Sequence, residues 1–166
     1  MPALHIAQIN IGRMKAPTDD PIMAGFMNRL DEINALADGH PGFVWRLQTH
    51  EGNATYLRPY DDERIIVNMS VWESMAHLQQ YVYRTVHAEL MRQRREWFEK
   101  FEGNYLALWW VPAGHIPGVD EGKKRLAYLE KHGPSPFAFT FKKTFPADEE
   151  YVKRVDWTTF VPCPAV

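Results

Sequence analysis

The chain predicts an α+β fold: a ferredoxin-like split β-α-β unit, with an antiparallel sheet and helices on one face. Three observations carry this. The predicted elements run β-α-β-β-α-β, the order of that motif. Leu4–Ile11 and Ile65–Trp72 alternate their side chains with the period of a strand. Two helix starts are marked, one by Asp20 followed by Pro21 and one by Ser74.

In chain order, the first strand places Leu4, Ile6, Gln8 and Asn10 on one face and His5, Ala7, Ile9 and Ile11 on the other. A turn around Pro17 leads to the Asp20 cap. The helix then runs to about Asp38, with Gly39 and Pro41 as its stop signals. Its apolar stripe is Met23, Phe26, Met27, Leu30, Ile33 and Ala37, and Asn34 falls inside that stripe. A second strand spans Phe43–Thr49, and the polar stretch 51–64, with Gly52, Asn53 and Pro59, reads as loop. The third strand, 65–72, is followed by a helix capped at Ser74 that reaches Tyr83. It continues or bends into a further helical stretch as far as Phe101, ended by Gly103. A fourth strand covers Tyr105–Val111, a helix covers Glu121–His132, and Phe137, Phe139 and Phe141 alternate in a short last strand. Residues 1–143 form one domain on this reading. Residues 144–166 form an irregular extension expected to wrap a neighbouring chain through Tyr151, Trp157 and Phe160.

Composition narrows the function classes. A length of 166 residues suits one domain with a real core. The net charge of −2 argues against a nucleic-acid surface, which needs an excess of Lys and Arg. No apolar run reaches the ~18 residues of a membrane span, so no membrane contact and a cytoplasmic location are expected. The single cysteine, Cys163, excludes an internal disulfide. Seven histidines lack metal-ligand spacing and no glycine-rich nucleotide loop occurs, so no metal or cofactor is expected. Large apolar groups lie on both faces of the third strand. One chain offers too few helices to cover both, so a homodimer burying sheet against sheet is expected.

The most informative stretch is Tyr83–Phe101. Tyr83, Val86, Leu90, Trp97, Phe98 and Phe101 form one apolar stripe, with His87 and Arg94 at its edge. A cation aimed where an apolar side chain belongs costs several kcal/mol unless it meets a partner or a ligand. His87 is a candidate general base, because imidazole titrates near neutrality, or else a core histidine bonded to a carbonyl. Arg94 is a candidate anion holder, or else half of an ion pair with Glu73, Asp31 or Glu121. Arg46 sits opposite Trp45 on its strand and can enter the same cavity. Asn34 and Asn68 interrupt apolar faces as ligand-facing amides or as buried groups bonded to backbone. Trp45, Trp72, Trp109, Trp110 and the loop residue His115 complete the ligand-binding candidates.

Four stretches carry a resemblance: Pro41–Leu47, Val67–Ser74, Arg94–Phe98 and Leu108–Pro117. They resemble the bacterial family described as domain of unknown function 3291, over roughly residues 3–145. That family is similar to a branch of the dimeric α/β-barrel superfamily that includes the antibiotic-biosynthesis monooxygenases. The resemblance implies a ferredoxin-like fold and a dimer. A second likeness is to haem-degrading enzymes of that superfamily, with Asn10, Trp72 and His87 at comparable positions. It implies haem as an alternative ligand.

The leading expectation is a cofactor-independent, oxygenase-like enzyme acting on a flat aromatic or oxygenated small molecule. His87 would take a proton, and Arg94 or Arg46 would hold the anion. Haem binding or degradation, and a non-catalytic ligand-binding or structural dimer, are the alternatives.

Overall fold

Strands β1 (Leu4–Arg13), β2 (Phe43–Arg46), β3 (Ile65–Trp72) and β4 (Leu106–Pro112) form one antiparallel sheet in the order β2-β3-β1-β4. This computed structural model describes residues 3–48, 55 and 59–160. The strand order is that of the ferredoxin-like unit, so the predicted fold class holds. The central pairing sets Ile6 opposite Trp72, Gln8 opposite Ser70 and Asn10 opposite Asn68. Opposed residues share a face. Everything functional below follows from this register.

Both predicted helix starts are present. The Asp20 carboxylate accepts from the Ile22 backbone N–H, and a 3₁₀ turn over Pro21–Met23 feeds α1 (Ala24–Asp38). Ser74 caps α2 (Met75–Arg84) by accepting from the His77 N–H. The expected run to Phe101 is broken in two places. Thr85 is extended, donates its hydroxyl to the Tyr81 carbonyl and caps α3 (Val86–Gln93). A threonine hydroxyl competes with the helix for backbone partners, which makes it a good breaker. After the 3₁₀ turn Arg94–Glu96, the chain turns back to the end of β1, where Lys15 donates to the Trp97 carbonyl and Glu99 to the Arg13 carbonyl. Phe98 therefore pairs with Met14 in an isolated bridge and is not a helical residue.

The second strand is shorter than expected, and its predicted end, Thr49, lies outside the described residues together with most of the loop after it. In place of a last strand, Phe139 alone bridges Leu108, between two tight turns at Ser135–Ala138 and Thr140–Lys143.

The main correction concerns cover. Helices α1, α2 and α3 pack on one sheet face, and α4 (Val119–His132) packs on the other. Ala7, Ile9, Met69, Val71, Trp109 and Val111 are completely buried within the one chain. Close approach is possible because a Cβ on Gly122 of α4 would lie 2.8 Å from Ile9 Cδ1 and 3.0 Å from Met69 Cε. The expected homodimer rested on this face having no cover. Helix α4 of the same chain supplies that cover. Gly122→Leu is expected to lower stability by about 1–3 kcal/mol through overpacking, read from denaturation midpoints. An unchanged midpoint would mean that α4 does not rest on the sheet.

The C-terminal extension also differs from expectation. It carries α5 (Glu149–Arg154) and a 3₁₀ turn at Trp157–Thr159. Trp157 packs against its own chain's core, with its ring 4.5 Å from that of His115. Cys163 lies outside the described residues.

Candidate functional site

The face of the sheet under α1, α2 and α3 does not close into a dry core. Even-numbered positions of β1 and β3 place Gln8, Asn10, Asn68 and Ser70 side by side across the central pairing. Gln8 and Ser70 are buried, Asn10 is half-buried and Asn68 is exposed; buried amides and hydroxyls cost free energy unless bonded. These four bond to one another. Gln8 Nε2 donates to Asn68 Oδ1 at 2.8 Å and Ser70 Oγ at 2.9 Å, while Asn10 Nδ2 donates to Gln8 Oε1 at 2.9 Å. Trp72 Nε1 donates to Ser70 Oγ at 2.9 Å. With two donors already on its oxygen, Ser70 has its own O–H left to give. Both N–H bonds of Asn68 are likewise left, since only its Oδ1 is engaged.

Above this amide floor is a cavity of about 190 Å³, walled by Phe26, Leu30 and Ile33 of α1, by Leu78 of α2 and by Leu90 of α3. A volume of ~150 Å³ admits benzene, and drug-sized ligands take ~300 Å³ or more, so the space suits one substituted ring. A tetrapyrrole is larger than this space.

His87 lines the cavity from the first turn of α3. Its ring centroid is 5.0 Å from that of Tyr81, and its Nδ1 is buried with no hydrogen-bond partner among the described residues. Burial holds its pKa below the ordinary 6.5, against a smaller opposing effect of the nearby Val82 backbone. The ring is therefore neutral at pH 7, with a proton-accepting capacity intact. Tyr81 is a different case. Its hydroxyl donates to the Ile33 carbonyl at 3.2 Å, its ring stacks on Trp72 at 4.9 Å, and burial raises its pKa, so it stays a phenol.

Arg94 also lines the cavity, with its guanidinium 4.5 Å from the Tyr105 ring centroid. No carboxylate among the described residues pairs with it. The three acids considered as its partners are elsewhere, and Glu121 faces His115 and Arg125. Arg46 has the opposite fate: it is 9% exposed and clamps Asp38 through Nε–Oδ1 at 2.7 Å and Nη2–Oδ2 at 3.2 Å. Its charge is spent on tying β2 to the end of α1.

The structure thus brings together six of the candidates, Asn34, Arg46, Asn68, Trp72, His87 and Arg94. Four are placed elsewhere. Trp45 and Trp109 face the α4 side, where Trp109 Nε1 donates to Glu121 Oε1 at 2.8 Å. Trp110 packs beside the cavity wall and donates to the Phe145 carbonyl. His115 contacts Glu121 at 2.7 Å, on the α4 side. Missed by residue reasoning were Gln8, Ser70 and Tyr105, and Asn10 entered only through a resemblance. The signal was present: polar residues at period two on two strands that the fold pairs.

Among the described residues there is no cluster of histidine, cysteine and acids able to hold a metal, and no helix long and apolar enough to cross a membrane. A family model described as "Domain of unknown function (DUF3291)" matches residues 5–155. No curated protein matches the chain. Two solved structures are similar in part. A protein of unknown function from Nitrosomonas europaea is 12% identical, with a TM-score of 0.46 over 71% of this chain and 99% of that one. SnoaB, a cofactor-independent oxygenase from Streptomyces nogalater, is 16% identical, with a TM-score of 0.44 over 68% of this chain and 95% of that one.

Proposed function

This chain belongs to the DUF3291 family, and from the cavity it encloses we propose an enzyme that deprotonates a small, oxygenated aromatic molecule and stabilises the resulting anion. The observation that carries the proposal is His87. A buried ring nitrogen without a partner costs about 1–3 kcal/mol, and here it belongs to a residue lining a cavity with a polar floor. Such a nitrogen is explained by a ligand proton that it meets.

The roles divide by chemistry. Neutral His87 takes the proton from a phenol or an activated C–H. The Ser70 hydroxyl and the Asn68 amide supply donors to the oxygen on which charge develops. Phe26, Leu30 and Leu90 hold the ring flat and keep water out, which strengthens both effects. Arg94, paired with no carboxylate among the described residues, adds a positive potential. In an oxygenase form of the reaction, the anion then passes electrons to dioxygen. For a phenol, the O–H, one ring C–H and one O₂ become two C=O groups and one water.

Calorimetric titration with monocyclic phenols and their O-methyl ethers tests the binding half. The phenols are expected to bind more tightly than the ethers. Arg94→Met should weaken the phenols about three- to tenfold, while stability falls by only ~0.5–1 kcal/mol, the value of an exposed cation–π contact. A stability loss near the ~3–5 kcal/mol of a broken buried ion pair would return Arg94 to architecture.

A further inference from the structure

We infer that the ligand carries an anionic tail, ending in a carboxylate or a phosphate, which leaves the cavity past Arg94 and lies in a basic groove beside it. This rests on the cavity being the ligand site. The groove, of about 630 Å³, is lined by Lys15, Arg94, Arg95, Lys100 and the rings of Phe98, Phe101 and Tyr105. Arg94, Phe98 and Tyr105 line the cavity as well, so the two spaces meet at those three side chains.

Charge gives the groove its specificity. The whole chain is net acidic at −2, yet four cations converge here. The carboxylate that lines it, Glu99, is already engaged, with Oε1 2.8 Å from Arg64 Nη1 and Oε2 4.0 Å from Arg13 Nη1. Lys15 Nζ donates to the Arg95 carbonyl, which fixes its ammonium at the groove. Guanidinium and ammonium groups around an aromatic strip suit a short chain of methylenes ending in an anion. Size points the same way. The cavity takes one ring, so any larger part of the molecule has to continue outwards, and the space it enters there is cationic.

Three probes test this on the intact protein: 4-ethylphenol, 4-(4-hydroxyphenyl)butanoate and the methyl ester of that acid. The acid should bind about three- to tenfold more tightly than its ester at low salt, the sum of a few exposed ion contacts. That advantage should vanish near ~1 M salt, where the Debye length is ~3 Å. It should also vanish in the double variant Arg95→Gln, Lys100→Gln, whose affinity for 4-ethylphenol stays unchanged. Equal affinity of acid and ester while 4-ethylphenol still binds overturns the tail and leaves the cavity reading standing. Failure of 4-ethylphenol to bind the unmodified protein overturns the cavity reading, and the tail with it.

Discussion

Glutamine at position 87 should leave the fold intact and lower the proton-transfer rate by about 10²–10⁴, the usual contribution of a positioned base. Glutamine keeps polar bulk on α3 but cannot accept and release a proton near neutral pH. The loss should fall on turnover and spare affinity for a neutral ring. Stability gives an independent signature. Folded His87 sits below the 6.5 of the free residue, because burial disfavours its cation. Below pH 6.5 the unfolded chain therefore binds a proton that the folded chain refuses. Stability is fully present above 6.5 and is lost as pH falls through that value towards the folded pKa. His87→Gln removes this loss, so its stability should fall less steeply between neutral and mildly acid pH. A variant that is uniformly less stable at every pH, with turnover untouched, would make His87 a core residue.

Removing the carboxylate of Glu121 should cost about 3–5 kcal/mol, for a reason unrelated to catalysis. Glu121 is completely buried on the α4 face and Arg125 is 1% exposed. The carboxylate accepts from Trp109, contacts His115 at 2.7 Å and stands 3.6 Å from Arg125 Nη2. Around Arg125 are aromatic rings, Phe137 at 3.9 Å being nearest, and its Nη1 donates to the Phe137 carbonyl at 2.9 Å. Burial brings its pKa down to about 10, even with Glu121 holding it up, so it is still a cation at pH 7. Glu121→Ala would strand that charge in a ring-lined interior. In the double variant with Arg125→Met the loss should shrink well below the sum of the two single losses, since no buried charge then remains. Additive losses in that cycle would show that the pair does not interact.

This second cluster shows why part of the molecule was legible and part was not. Alternation and capping chemistry are local, so β1, β3, the Asp20–Pro21 start and the Ser74 cap could be read directly. Thr85 breaks a helix whose apolar periodicity runs on unbroken, because a single hydroxyl competing for the Tyr81 carbonyl has no periodic signature. The stripe of α4 was readable as a helix, but a stripe does not say which sheet face it covers. That ambiguity kept both Trp109 and Trp110 among the candidates and underlay the expectation of a dimer. His87, Arg94, Asn68 and Asn34 were found because each interrupts an apolar face. Gln8 and Ser70 were passed over because a strand face of small polar groups looks solvated until its pairing is known. Arg46 looked like an anion holder because its partner, Asp38, is on another element.

The central claim is that this cavity holds a phenol as its anion with the proton on His87, and one absorbance spectrum tests it. 4-Nitrophenol fits the single-ring volume, and its phenolate is coloured where the neutral phenol is not. Titrated into the protein at a pH below its free pKa, it is expected to bind with the phenolate band, and His87→Gln should return the bound molecule to the neutral band. Binding as the neutral phenol in both proteins would contradict the claim.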